Sequence, residues 1–171
     1  MRINRIRKAG AAATLAAALA LAAVVVIAQQ KGAPPQPKLF TSAAEVQDLI
    51  AKSKSTRKEN QAIVAQRILS LAPYNVNLEY RASVGPASVH EKEAEMFYVI
   101  DGSGTMVTGG KLSEETRTNA ENLSGTGITG GDSRTIAKGD FIIVPEGTPH
   151  WFSQINGVLV LMSMHVPRPV H

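Results

Sequence analysis

GDFIIVPEGTPHWFSQ, Gly139 to Gln154, is the stretch from which the fold follows. Its order is strand, turn, strand. Phe141 to Val144 is a short apolar β-rich run, Pro145-Glu146-Gly147-Thr148-Pro149 interrupts it, and His150-Trp151-Phe152 resumes extended chain. Pro145 has no N–H to give a strand ladder, and Gly147 can take the positive φ of a tight reversal. His150 therefore stands at the mouth of a hairpin. The residues alone leave it two roles, a cap on the turn or an inward-facing ligand.

Gly139, Pro145, Gly147 and His150 fall in the register G-x5-P-x-G-x2-H-x3-N. In this the stretch resembles the second motif of the cupin superfamily, with Gln154 in the place that the family usually gives to Asn. Upstream, SVHEKEAEMFYVIDG, Ser88 to Gly102, resembles the first cupin motif, G-x5-H-x-H-x3-4-E-x6-G. Glu95 and Gly102 have the right separation, but the histidine pair is incomplete. In the four-residue spacing His90 takes the second histidine place and Ser88 the first; in the three-residue spacing the two places fall on Val89 and Glu91. Gly85 is off register. The resemblance covers about Tyr74 to Val166 and implies an all-β, cupin-type jelly-roll barrel with a metal inside.

Two imidazoles and a carboxylate suit a divalent transition metal, and Fe, Mn, Zn, Ni and Cu all accept them, so the ion's identity stays open. The candidate ligands are His90, Glu95 and His150. Strand alternation puts Glu95, Phe97 and Val99 on one face, and likewise His150, Phe152 and Gln154. Other roles remain for two of the ligands: His90 lies in a charged run, and Glu95 could pair with Lys92 or Arg134. Glu91 and Glu93 are candidate outer bases for catalysis. His165, in phase with Leu159, Leu161 and Ser163, reads as a core or rim histidine rather than as a fourth ligand, and Tyr80, Tyr98 and Trp151 as packing residues rather than substrate contacts. No G-x-S-x-G elbow, P-loop, strand-to-helix G-x-G-x-x-G or cysteine offers competing chemistry.

Around the motifs the pattern is that of an all-β domain. Gln61 to Leu71, Tyr74 to Arg81, Glu95 to Ile100, Thr105 to Thr108, Arg134 to Ala137, Phe141 to Val144, His150 to Ile155 and Val158 to Val166 read as strands. The last is apolar on both faces, which points to a homodimer. Between Ser103 and Ser133 the composition turns to Gly, Ser, Thr and Asn, a long loop that could be a lid or a disordered insertion; Gly109 to Gly131 is expected to move as a flap. One short helix precedes the strands: Ser42-Ala43-Ala44-Glu45 is a capping box, and Val46, Leu49 and Ile50 recur at helical spacing to about Lys54, a stripe suited to covering a barrel edge or end.

The amino terminus reads as an address. Arg2, Arg5, Arg7 and Lys8 precede an uncharged run from Ala9 to Ile27, with small-residue cleavage after Ala28. Residues 1–28 are expected to be a signal peptide for a periplasmic or secreted protein, with an uncleaved anchor as the other reading. Residues 29–40 read as a Pro/Gly/Gln-rich flexible linker, and 41–171 as the barrel domain. The whole chain carries 18 Lys+Arg against 14 Asp+Glu. Four of the basic residues lie in the signal, so the remainder balances at 14 each and shows no nucleic-acid footprint. With no cysteine, the domain must be held by its core alone.

The resulting expectation is an exported cupin that binds a divalent metal and a small-molecule ligand or substrate, without nucleic acid and without membrane after cleavage. It would be a metal-dependent enzyme of dioxygenase, isomerase or lyase type, or else a non-catalytic binding or sensing module using the same pocket.

Overall fold

The computed structural model describes residues 36–168. The expected signal peptide, most of the linker and His171 lie outside the described residues. Within the stretch read as linker, Lys38 exchanges two backbone hydrogen bonds of 2.9 Å with Ser70. Helix α1 (Ala43–Thr56) then begins with the expected capping box, Ser42 Oγ accepting from Glu45 N–H and Glu45 Oε2 accepting from Ser42 N–H.

Among the described residues thirteen strands follow. β1 (Ile63–Leu71) and β2 (Tyr74–Arg81) form the first hairpin; β3 (Ala87–His90) and β4 (Glu93–Asp101) carry the first motif, and β5 (Ser103–Thr108) follows it. β6 (Lys111–Ser113), β7 (Thr116–Arg117), β8 (Asn122–Gly125) and β9 (Gly127–Thr129) lie in the Gly-rich segment. β10 (Asp132–Ala137), β11 (Phe141–Val144), β12 (His150–Ile155) and β13 (Leu159–Pro167) complete the chain. One sheet has the order β1-β2-β13-β4-β11, the other β10-β5-β12-β3-β8-β7, and β6 pairs with β9. All pairings are antiparallel, and two facing sheets of this kind are a jelly roll.

The strand period of two sorts the side chains into two cores. Between the sheets lie Phe97, Val99, Met106, Ile136, Val144, Phe152, Leu159 and Leu161; between the first sheet and α1 lie Val64, Ile68, Leu78, Tyr80 and Val160, with Val46, Leu49 and Ile50 of the helix packed on them. Each large apolar side chain so buried contributes about 1.5–3 kcal/mol. The apolar stripe of α1 thus covers the outer face of β1 and β2, at the edge of the sheet. β13 packs Leu159 and Leu161 into the inter-sheet core with one face and Val160 and Met162 into the helix-side core with the other, which accounts for its apolar pattern within one chain.

The expectation of a loop from Ser103 to Ser133 gives way to paired strands. β8 extends the second sheet beside β3, and β7 pairs with β8. Glycine makes this fold-back close: a Cβ at Gly127 would sit 3.3 Å from the Trp151 ring, and a Cβ at Gly125 only 2.6 Å from Ser113 O. The segment expected to be a flap is therefore joined to the strand that carries His90.

Candidate metal centre

Both sheets contribute to one cluster. Glu95 on β4 and His165 on β13 come from the first sheet, directly opposite each other in register; His90 on β3 and His150 on β12 come from the second. Motif 2 shapes this from below, because the Pro145–Thr148 turn lets Gly147, at φ 67°, donate its N–H to the carbonyl of His90 at 2.7 Å. The turn chemistry read in the sequence thereby fixes one candidate ligand's backbone as well as the start of the strand that carries another.

Glu95 is 4% exposed and His150 5%. All three described histidines turn Nε2 toward the Glu95 carboxylate: His90 at 3.2 Å and His150 at 3.1 Å from Oε2, and His165 at 3.4 Å from Oε1. Burial opposes the charge on Glu95, but hydrogen bonding from His150 and His90 and the nearby charge of His150 and His165 outweigh it, holding the carboxyl well below the usual carboxylate range. For His90 burial favours the neutral ring, and the interactions with Glu95 and Asn122 reverse that and hold it above its ordinary value.

The outer nitrogens are held by oxygens. His90 Nδ1 lies 2.6 Å from Asn122 Oδ1, which makes Nδ1 the donor, and His150 Nδ1 lies 3.3 Å from Thr148 O. With the outer Nδ1 turned to an oxygen acceptor, each ring keeps Nε2 inward, where it donates to Glu95; a metal ion would take the place of that Nε2 proton while the Nδ1 contact holds the ring in orientation. Asn122 is itself braced by Asn119, its Nδ2 donating to Asn119 Oδ1 at 3.1 Å. Asn122→Ala should weaken Co2+ binding by about 10- to 100-fold with the β-fold unchanged, as read by titration of the metal-free protein.

The structure brings His90, Glu95 and His150 together, and adds His165. The candidate bases sit differently. Glu93 lies beside His165, its Oε2 3.1 Å from Nδ1, whereas Glu91 turns away from the cluster to a two-pronged ion pair with Arg117, at 2.8 and 3.0 Å. That contact lowers the pKa of Glu91, which makes it a weaker base. Gln154 departs from the expected face. A bulge between Phe152 and Gln154 resets the alternation, so Gln154 is exposed and donates to Asn156 Oδ1. Ser88, in phase with His90, pairs across from His150.

Phe97 lies beside the cluster, its ring centroid 6.0 Å from that of His150 and 5.3 Å from Phe152. Beyond it the interior is polar: Glu79 accepts from Ser163 Oγ at 2.7 Å and from Arg81 Nε at 2.8 Å, and Arg81 covers the Phe152 ring at 4.3 Å. Trp151 is a packing residue, its Nε1–H donating to Gly85 O at 2.9 Å.

Comparison with known proteins agrees with this architecture. A model of the cupin family matches residues 51–167. Among solved structures the chain is similar to the DMSP lyase DddQ from Ruegeria pomeroyi DSS-3, at 12% identity and a TM-score of 0.50, over 80% of this chain and 70% of that one. It is similar as well to BH2720 from Bacillus halodurans, at 17% identity and a TM-score of 0.49, over 79% and 85% of the two chains. KdgF from Halomonas sp. matches at 16% identity and a TM-score of 0.45, over 66% and 86%. No curated protein matches the chain.

Proposed function

Because this chain belongs to the cupin family, we propose that it is an exported metal-binding protein, holding a divalent transition metal on His90, Glu95 and His150 and receiving a small oxygen-rich molecule. The observation that carries the reading is the convergence of imidazole Nε2 atoms on one buried carboxylate, with the outer nitrogens of His90 and His150 on oxygen acceptors. Nitrogen and carboxylate donors fit Fe, Mn, Zn, Ni or Cu, and no thiolate biases the choice.

When bound, such a metal polarises an oxygen of the ligand as a Lewis acid. The chain's own residues supply the setting. Glu95, ionised in its buried position, offsets part of the ion's charge, and Asn122 and Thr148 O keep two rings in the ligating tautomer. Phe97 and Phe152 form an apolar wall that lowers the local dielectric and strengthens every charge interaction in the pocket.

Catalysis of dioxygenase, isomerase or lyase type is one use of this pocket. Non-catalytic binding or sensing is the second reading, and it is favoured by a specific observation: Glu91, one of the two carboxylates considered as bases, is held in an ion pair by Arg117. The exported location, periplasmic or secreted after cleavage behind Ala28, rests on the basic and then apolar amino terminus. Among the described residues no helix is long and apolar enough to cross a membrane.

One sample tests the proposal. Untagged protein recovered from the periplasm or medium is expected to contain about one equivalent of a transition metal per chain and an intact mass lacking residues 1–28. Metal content at the level of the buffer blank would reject the centre, and a mass retaining the first 28 residues would reject cleavage.

A further inference from the structure

The geometry points to His165, on β13, as a fourth ligand of this centre, standing in for the histidine that the first motif lacks at Ser88. The inference rests on the metal-centre reading above and extends its ligand set to three imidazoles and one carboxylate. Position is the first reason. β13 pairs with β4 so that His165 faces Glu95, and its Nε2 approaches the carboxylate oxygen that the other two imidazoles leave free. His90 and His150 share Oε2, and His165 takes Oε1, so the carboxylate is bracketed from both sides.

Spacing is the second. Ligand atoms of His90, Glu95 and His165 all lie within 4.8 Å of one another, so that side-chain shifts of a few tenths of an ångström would bring them onto one ion at bonds of about 2.0–2.2 Å. The His90 and His165 rings meet edge to face, centroids 4.4 Å apart at 87°, so neither blocks the other's inward nitrogen. His150 is outside this set of three and meets it at Glu95, its Nε2 3.1 Å from Oε2.

The outer side of the ring is the third. His165 Nδ1 is a buried atom with no aligned hydrogen bond, although Glu93 Oε2 stands 3.1 Å from it. That oxygen is near but off the direction in which an N–H points. A carboxylate at Nδ1 and the cluster at Nε2 are the two ends of a carboxylate–histidine–metal arrangement. A histidine that served only to pair with Glu93 at the rim would leave Nε2 to solvent, whereas here Nε2 is turned inward to buried Glu95.

Metal-free protein titrated with Co2+ alone, and electron paramagnetic resonance of the Cu2+ form, decide the matter. His165→Ala is expected to keep its far-UV circular dichroism, to bind Co2+ at least about tenfold more weakly, and to show one fewer coordinated imidazole nitrogen than wild type. His165→Gln, closer in size, is read in the same way if the alanine variant fails to fold. Unchanged Co2+ affinity and nitrogen count in these variants, with wild type binding normally, would overturn the assignment and leave the His90, Glu95 and His150 centre standing. Wild-type protein that takes up no Co2+ would overturn both.

Discussion

His150→Ala is expected to lower Co2+ affinity by more than about a hundredfold while the β-fold survives. The estimate starts from the 10- to 100-fold loss typical when a residue supporting a metal ligand is removed; deletion of a ligand itself should exceed it. His150 is almost fully buried at the first position of β12, and its Nε2 lies 3.1 Å from Glu95. Its removal takes away a nitrogen donor and a group that stabilises the ionised carboxylate. The fold has no such dependence. Its inter-sheet core from Phe97 to Leu161 is apolar and large, unlike that of a small zinc-dependent domain, so metal loss and unfolding are separable. Metal titration with circular dichroism on the same sample checks this. Unaltered Co2+ affinity in a natively folded variant would make His150 a turn cap and nothing more.

Most of the strand framework was readable because its signals are local. Phe141 to Val144 and His150 to Ile155 keep the bounds that Pro145, Gly147 and Pro149 give them, and Ser42 with Glu45 marks the start of α1 correctly. Non-local pairing was hidden. β7 and β8 consist of Thr, Arg, Asn, Leu, Ser and Gly, a composition that reads as loop, and they become strands because β3 offers an edge to β8 and β8 in turn offers one to β7. Asn122 could not be found as a partner of His90 for the same reason, since 32 residues separate them in sequence.

His165 was legible only by half. Its phase with Leu159, Leu161 and Ser163 gave the correct inward face, but an inward histidine can be core or ligand. What distinguishes them is the residue across the ladder. That depends on the register of β13 against β4, which includes an irregularity between Val160 and Leu161. Gln154 is the converse case: the alternation that held for His150 and Phe152 ends at a bulge, which no single-strand pattern reveals.

The first motif's closing glycine should prove the most sensitive backbone position. Gly102→Ala is expected to destabilise the domain by about 2–5 kcal/mol, against about 1–2 kcal/mol for Gly147→Ala. Both residues sit at positive φ, 84° and 67°, so both substitutions meet the left-handed penalty. Their surroundings differ. A Cβ at Gly147 would find nothing within 4 Å, whereas at Gly102 it would lie 2.0 Å from Val158 O and 3.1 Å from Leu159 Cα. Those are backbone atoms, so no rotamer change relieves the overlap and the chain leading into β13 must move. Urea unfolding of the two variants measures the difference, and equal midpoints would show that positive φ alone explains the glycine. The displacement also has a direction with consequences for the site. Gly102 ends the strand that carries Glu95, and Val158 precedes the strand that carries His165. Forcing the two apart strains the β4–β13 register, the one pairing that sets His165 opposite Glu95, so Gly102→Ala should weaken Co2+ binding as well as folding, although it lies outside the cluster.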